Sequence, residues 1–459
     1  MRRLITPLAA SLLLAGCVHL APDYQRPAAP VPDALPVAGD VTQAHWPSTV
    51  ELLRDARLRQ VVELALAGNR DLRVALLNVE KSRAQLRIAD ADRWPTLSAA
   101  LIASRAPNNQ GVQANSWQGG LQLSSYEIDL LGRVRDASDA AAASLLATEA
   151  AARAARLALV TQTATAWLTL AADTEQLRLV RATLVSREES LRLTVLRERV
   201  GAASALELRA AEGLAASARA AVAQLERQQA QDRNALALLV GQPLTAAQLP
   251  PEDVSLAGAD WLAPVPAGMS SQVLLARPDV IQAEQQLVAA NANIGVARGA
   301  MFPRLVISGS AGQVSDTLAG LFDGGRFAYS LTSTLAMALF DAGRNQANVR
   351  VAEVNREQAV ASYEKTVQGA YREAADALVA QSTWTRQVQA QQTLLSAEQE
   401  RTRLTRLRFE VGAASLVDTL DAERSLAAAQ QALVQVRLAE ALNRLVLYKA
   451  LGGAERAGA

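Results

Sequence analysis

The chain is poor in the residues that most often do covalent or metal chemistry. Among 459 residues there are two histidines, His19 and His45, and one cysteine, Cys17. From Trp46 to the end neither residue type occurs. That excludes Ser-His-Asp and Cys-His catalysis, Cys/His zinc sites and disulfides in the body of the chain. Aromatic residues make up only 4% although half the chain is hydrophobic, so Ala and Leu carry the apolar share. Such a balance suits helices packed on helices. Lysine is nearly absent, at Lys81, Lys365 and Lys449, and 46 basic residues oppose 45 acidic ones. A formal charge of +1 offers nothing to a nucleic acid. No Gly-x-x-x-x-Gly-Lys-[Ser/Thr] sequence is present, so the chain has no such nucleotide-binding loop. A non-enzymatic role is expected.

What is present begins with a targeting segment. Arg2 and Arg3 precede an apolar stretch, Leu4 to Leu14, too short to span a membrane. It ends in Leu14-Ala15-Gly16-Cys17, small residues before the single cysteine. Residues 1–16 therefore read as a lipoprotein signal, with Cys17 as the lipidated N-terminus of the mature chain. No cofactor is expected beyond that covalent lipid. Val18, rather than an aspartate, follows the cysteine and favours the outer membrane. Residues 17–50 carry Pro22, Pro27, Pro30, Pro32 and Pro36 and read as an extended tether.

The remainder is written twice. Asn69-Arg70-Asp71-Leu72 and Trp94-Pro95 recur 208 residues later as Arg277-Pro278-Asp279-Val280 and Phe302-Pro303. Gly132-Arg133, Val200-Gly201-Ala202-Ala203-Ser204 and Gly241 recur at an offset of 211. The predicted organisation is repeat 1 over 51–241, a Pro-rich linker over 242–270, repeat 2 over 271–452 and a tail, 453–459. Each repeat has one grammar: helix, strand, strand, long helix, helix. A helix from about Gly68 to Trp94 stops before Pro95. Arg133–Val200 contains neither Gly nor Pro, and Arg344–Val411 has only Gly369. A helix of that length spans about 100 Å. The shorter helices flanking it, over 69–94 and 202–240, match that length when stacked end to end, with their junction near Gly68 and Gly241. Such lengths imply a coiled coil or a helical tube.

Between the helices the apolar period changes to two. Phe327, Tyr329, Leu331, Leu335, Met337 and Leu339 share one face of a predicted strand over Phe327–Leu339, and small or polar residues share the other. Trp117–Tyr126 alternates too, and Thr96–Ser104 and Leu305–Gly312 are weaker candidates. One apolar and one small, polar face fits a transmembrane β-barrel strand or a soluble sandwich strand. Four strands cannot close a pore, and lipid tolerates no open edge. If these strands lie in a membrane, several copies must close the barrel together.

Each hairpin tip has its own signal. Gly201 and Gly412 are placed to end the long helices in a left-handed conformation. Ser204 with Glu207, and Ser415 with Asp418, have capping-box spacing. Asp421 and Arg424 go beyond capping and symmetry, because their repeat-1 equivalents are Ala210 and Gly213.

Taken with the lipoprotein signal, the early Ala21-Pro22-Asp23-Tyr24-Gln25-Arg26-Pro27, Ile128-Asp129-Leu130-Leu131-Gly132-Arg133, Leu339-Phe340-Asp341-Ala342-Gly343-Arg344 and the two Val-Gly tips, the chain resembles the outer-membrane factor family of TolC-like efflux channels, in its lipoprotein branch serving RND-type systems. The resemblance implies a mainly α fold with transmembrane β structure: a homotrimer with a long α-helical barrel and four strands per protomer in a shared twelve-strand barrel. It implies a passive outer-membrane duct extending into the periplasm and carrying drugs or other small molecules. The partners would be a periplasmic adaptor, an inner-membrane pump expected to be proton-driven, and outer-membrane lipid, with no nucleic acid. Adaptor docking would fall on the tips around Gly201, Ser204, Gly412 and Ser415. Asp418, Asp421 and Arg424 would lie at the periplasmic gate, with the two aspartates forming an anionic ring. Ala414 and Phe409 stand where some relatives carry arginine and tyrosine. The alternatives are a duct for protein secretion or metal ions, or a non-porous, lipid-anchored coiled-coil scaffold.

Overall fold

The computed structural model describes residues 19–36, 48–107, 111–258, 260–265 and 270–453. Cys17 and the signal segment lie outside the described residues. In chain order the elements are α1 (Thr49–Leu52), α2 (Ala56–Gly68), α3 (Arg70–Ala91), β1 (Thr96–Pro107), β2 (Gln113–Ile128), α4 (Arg133–Arg199), α5 (Ala205–Val240), α6 (Pro278–Gly299), β3 (Arg304–Ser315), β4 (Arg326–Ala336), α7 (Arg344–Glu410) and α8 (Leu416–Ala450). Short 3₁₀ turns cover Ser271–Ala276 and Ala319–Leu321. Helices α4 and α7 have 67 residues each, a length of about 100 Å. No helix among the described residues is long and apolar enough to cross a membrane.

The chain forms two compact units, each assembled from both repeats. The first comprises residues 1–29, 77–150 and 281–365. Its centre is one antiparallel sheet in the order β1-β2-β3-β4. Thr96 lies opposite Ser124, and the β1–β2 ladder ends at Pro107 opposite Gln113. Arg304 faces Ala336 and Val314 faces Arg326 across β3 and β4. The β2–β3 register shifts between Leu123 and Tyr126, a bulge in which Ser125 takes φ 42°. Phe327, Tyr329, Leu331 and Leu335 project from β4 and are 66–80% exposed. Within the protomer β1 and β4 are the unpaired edges.

Three strands run beyond the lengths expected from alternation, and one falls short. The predicted β4 continued to Leu339, but pairing stops at Ala336. The reason lies on β3, which starts at Arg304 after Pro303 and leaves no partner for Met337. Beyond it Asp341 caps α7, accepting a bond from Asn345 N at 2.9 Å.

The expected extended tether is docked over its described first residues. Arg298 Nη1 donates to Leu20 O (3.3 Å) and Asn291 Nδ2 to Pro22 O (2.6 Å). Glu284 accepts from Tyr24 OH (3.2 Å) and, bidentately, from Arg26 (2.6 and 2.8 Å). From Arg298 back to Glu284 a helix advances about 21 Å, and from Leu20 to Arg26 an extended chain advances about 20 Å. The segment therefore runs antiparallel along one stripe of α6. Prolines deny it a helix, and α6 side chains satisfy the carbonyls left open.

The second unit comprises residues 30–76, 151–280 and 366–459. Trp167 and Tyr448 are at most 1% exposed at its core, with Leu168, Leu170 and Leu236. Trp167 donates to Gln248 O at 3.0 Å and meets Trp261 edge-on at 5.7 Å. Small residues make the helix contacts close: Ala164, Ala171, Ala172, Ala211, Ala215 and Ala218 are buried. The ends of α2 and α5 meet where the sequence places their glycines. A side chain on Gly68 would strike the carbonyl of Val240, and Gly241 turns away at φ 79°.

Candidate functional site: the hairpin tips

Both tips lie in the second unit. At each, the long helix ends in a glycine with φ 75°, Gly201 or Gly412. Gly201 N donates to Glu198 O (2.9 Å) and Ala202 N to Arg197 O (2.8 Å). Gly412 N donates to Phe409 O (3.0 Å) and Ala413 N to Arg408 O (2.7 Å). These two bonds per tip close the last turn in a Schellman motif. The returning helix is then capped. Glu207 N donates to Ser204 Oγ at 3.2 Å, and Ser204 N returns a bond to Glu207 at 2.7 Å. Asp418 N and Ser415 Oγ are 3.1 Å apart, and Ser415 N donates to Asp418 Oδ2 at 2.9 Å. Bonds from the Ser415 hydroxyl and backbone hold the Asp418 carboxyl below the ordinary aspartate range.

Asp421, one turn further along α8, has a different environment. Arg401 Nη2 of α7 donates to Oδ2 at 2.8 Å, and Arg424 Nη2 donates to Oδ1 at 2.5 Å. The hydrogen bond from Arg401, chiefly, holds the Asp421 carboxyl low. Arg401 is itself fixed by Glu398 at 3.1 Å. Within one protomer, then, the charge of Asp421 is balanced by two guanidinium groups and that of Asp418 is spent on the cap. Asp421 and Arg424 line a groove of about 350 Å³ with Arg209, Ala210, Gly213, Leu214, Val417 and Leu420. It lies between α5 and α8, and Gly213 gives Arg424 an open neighbour there.

The structure adds partners that sequence spacing did not reveal. Arg401 lies on a different helix from Asp421. Arg197, in the last turn of α4, lies over the ring of Phe409 at 5.2 Å. Phe409 lacks a phenol, and its ring face takes a cation instead. Arg406 pairs with Glu423 at 2.6 Å. The arginines' identities were visible, but their partners depend on the helix packing.

A sheet with an exposed apolar row and two open edges, joined to helices of 67 residues, defines a class: a subunit of an outer-membrane channel. Comparison with known proteins narrows this. The family model described as "Outer membrane efflux protein" matches residues 61–242 and 269–453. The chain belongs to that family. It is 40% identical to outer membrane protein OprJ of Pseudomonas aeruginosa over 459 residues, 98% of this chain and 95% of OprJ. It is 36% identical to the cation efflux system protein CusC of Escherichia coli over 458 residues, 98% of this chain and 99% of CusC. A CusC crystal structure superposes with a TM-score of 0.85 at 36% identity, covering 95% of this chain and all of CusC's. The open-state MtrE outer membrane channel of Neisseria gonorrhoeae gives 0.83 at 35% identity, with 95% and 99% covered. The fold is the family's: mostly helical, four antiparallel strands per protomer, two repeats. The family is one of transport channels rather than enzymes, and its place is the outer membrane.

Proposed function

We propose that the protein is the passive, homotrimeric outer-membrane duct of a tripartite efflux system for drugs or other small molecules. A periplasmic adaptor and an inner-membrane pump supply the coupling and the energy. The observation that carries this is the sheet with two unpaired edges and an exposed row of Phe327, Tyr329, Leu331 and Leu335. Copies closing edge to edge put that row in lipid and satisfy every strand. Family membership supports the same reading. Relatives of comparable similarity carry names that refer to toluene, antibiotics and cations. One duct architecture among relatives named for such different cargo supports selection by the pump.

Cys17 carries the acyl anchor. The tips at Gly201, Ser204, Gly412 and Ser415 are the adaptor's docking surface. Asp421, with Asp418, faces the passage at the periplasmic entrance, where Arg401 and Arg424 set how much negative charge the passage presents. Opening the tips pulls α7 from α8 and frees Asp421 from Arg401.

The test is export. In a host lacking its own efflux channel, co-expression with a periplasmic adaptor and inner-membrane pump of the RND type should lower accumulation of a fluorescent cationic dye. Accumulation equal to that with adaptor and pump alone would refute the reading.

A further inference from the structure

Asp136, in the first turn of α4, is fully buried. Neither carboxylate oxygen accepts a hydrogen bond among the described residues. A buried carboxylate left this way costs several kcal/mol unless something offsets its charge. The group that reaches it is His19, whose Nδ1 lies 2.8 Å from Oδ1 while the imidazole's outer side stays 42% exposed.

The fit is built in by α6. A side chain at Gly295 would collide with the Asp136 carboxylate and lie 2.8 Å from the Ala21 side chain. Glycine there leaves room for both the acid and the incoming segment. Nearby charges have their own partners. On α4, Arg133 is held by Glu127 and Arg135 pairs with Asp139. In the preceding turn Asp129 accepts from the backbone of Arg135. From α6, Arg298 is engaged by Leu20 O and by Glu353 of α7. From α3, Asp90 accepts from Ser138.

We propose that Asp136 and Gly295 form a receptor for His19, a latch fastening the N-terminal segment to the junction of β2 and α4. His19 stands two residues after Cys17 in the sequence. Burial pushes the Asp136 carboxyl up to about 6, with the His19 charge opposing.

The experiment is hydrogen exchange by mass spectrometry on the full mature protein in lipid nanodiscs, corrected for intrinsic exchange. Protection of residues 19–26 should fall by about tenfold in His19→Ala, as for the loss of one contact to a charged group. Asp136→Ala should lower it to the same extent, and combining the two substitutions should add little. His19 lies outside the fold's core, so its substitution decides the matter if the Asp136 variant does not assemble. Protection of residues 19–26 in His19→Ala equal to that of the wild type would overturn the latch.

Discussion

Arg277 Nη1 donates to the carbonyl oxygen of Ala450 at 2.7 Å, tying the start of α6 to the end of α8. The equivalent bond in the first repeat runs from Asn69 Nδ2 to Leu239 O at 2.9 Å, tying α3 to the end of α5. These pairs are repeat equivalents, 208 residues apart on the donor side and 211 on the acceptor side. The duplication thus preserves a junction, a side chain closing the last turn of the neighbouring helix, while changing the residue that makes it. Asn69 also caps α3 by accepting from Leu72 N at 2.9 Å. Arg277, only 4% exposed, adds Asp279 and Glu373 at 2.7 and 2.9 Å.

The first prediction follows. Arg277→Ala leaves a buried carbonyl and two carboxylates without their partner and should destabilise the protein by about 3 kcal/mol. Asn69→Ala loses a cap and one cross-helix bond and should cost about 1–2 kcal/mol. Thermal unfolding in detergent checks both. Equal, small effects would mean that the junctions contribute little.

The tips give a second. Ser204→Ala and Ser415→Ala should each cost about 1 kcal/mol, as expected for a lost N-cap. The loss should appear as faster amide exchange in the first turns of α5 and α8. Exchange spread evenly along both helices would contradict the local role of the caps.

A third concerns pH. Asp173 on α4 is 8% exposed, and its carboxyl is pushed up to about 7, first by burial and then by Asp232 of α5. A carboxyl raised above its unfolded value stabilises the fold while protonated, and that contribution fades as pH rises from about 4 to about 7. Asp173→Asn should therefore gain melting temperature over the wild type progressively across that window. A constant difference at pH 4 and pH 8 would exclude the linkage.

A fourth addresses charge at the entrance. Arg401→Ala removes the first counter-ion of Asp421 and should strengthen block of the channel by a trivalent cation. Asp421→Ala should weaken it. Opposite shifts in blocking concentration support the placement of Asp421 in the passage, and no shift in either variant refutes it.

Much of this was legible because it is local. Gly201, Ser204 and Glu207 lie within seven residues, so a turn and its cap can be read from spacing alone. The 67-residue helices follow from the absence of Gly and Pro, or nearly so, over long stretches. What could not be read depends on distant chain coming together. Arg401 reaches Asp421 across a hairpin, so an acid expected to be exposed is already paired. The end of β4 is set by Pro303, which precedes the start of β3. His19 looked like one of two spare histidines, and its meaning needs Asp136 and Gly295 beside it.

The central claim, that copies of this chain close into a conducting duct, is tested most directly in a planar lipid bilayer. Purified, lipidated protein should give discrete, long-lived conductance steps, and lysine substitutions at Leu331 and Leu335, in the row assigned to lipid, should abolish insertion. A protein that binds membranes yet gives no steps would be a scaffold rather than a channel, contrary to this account.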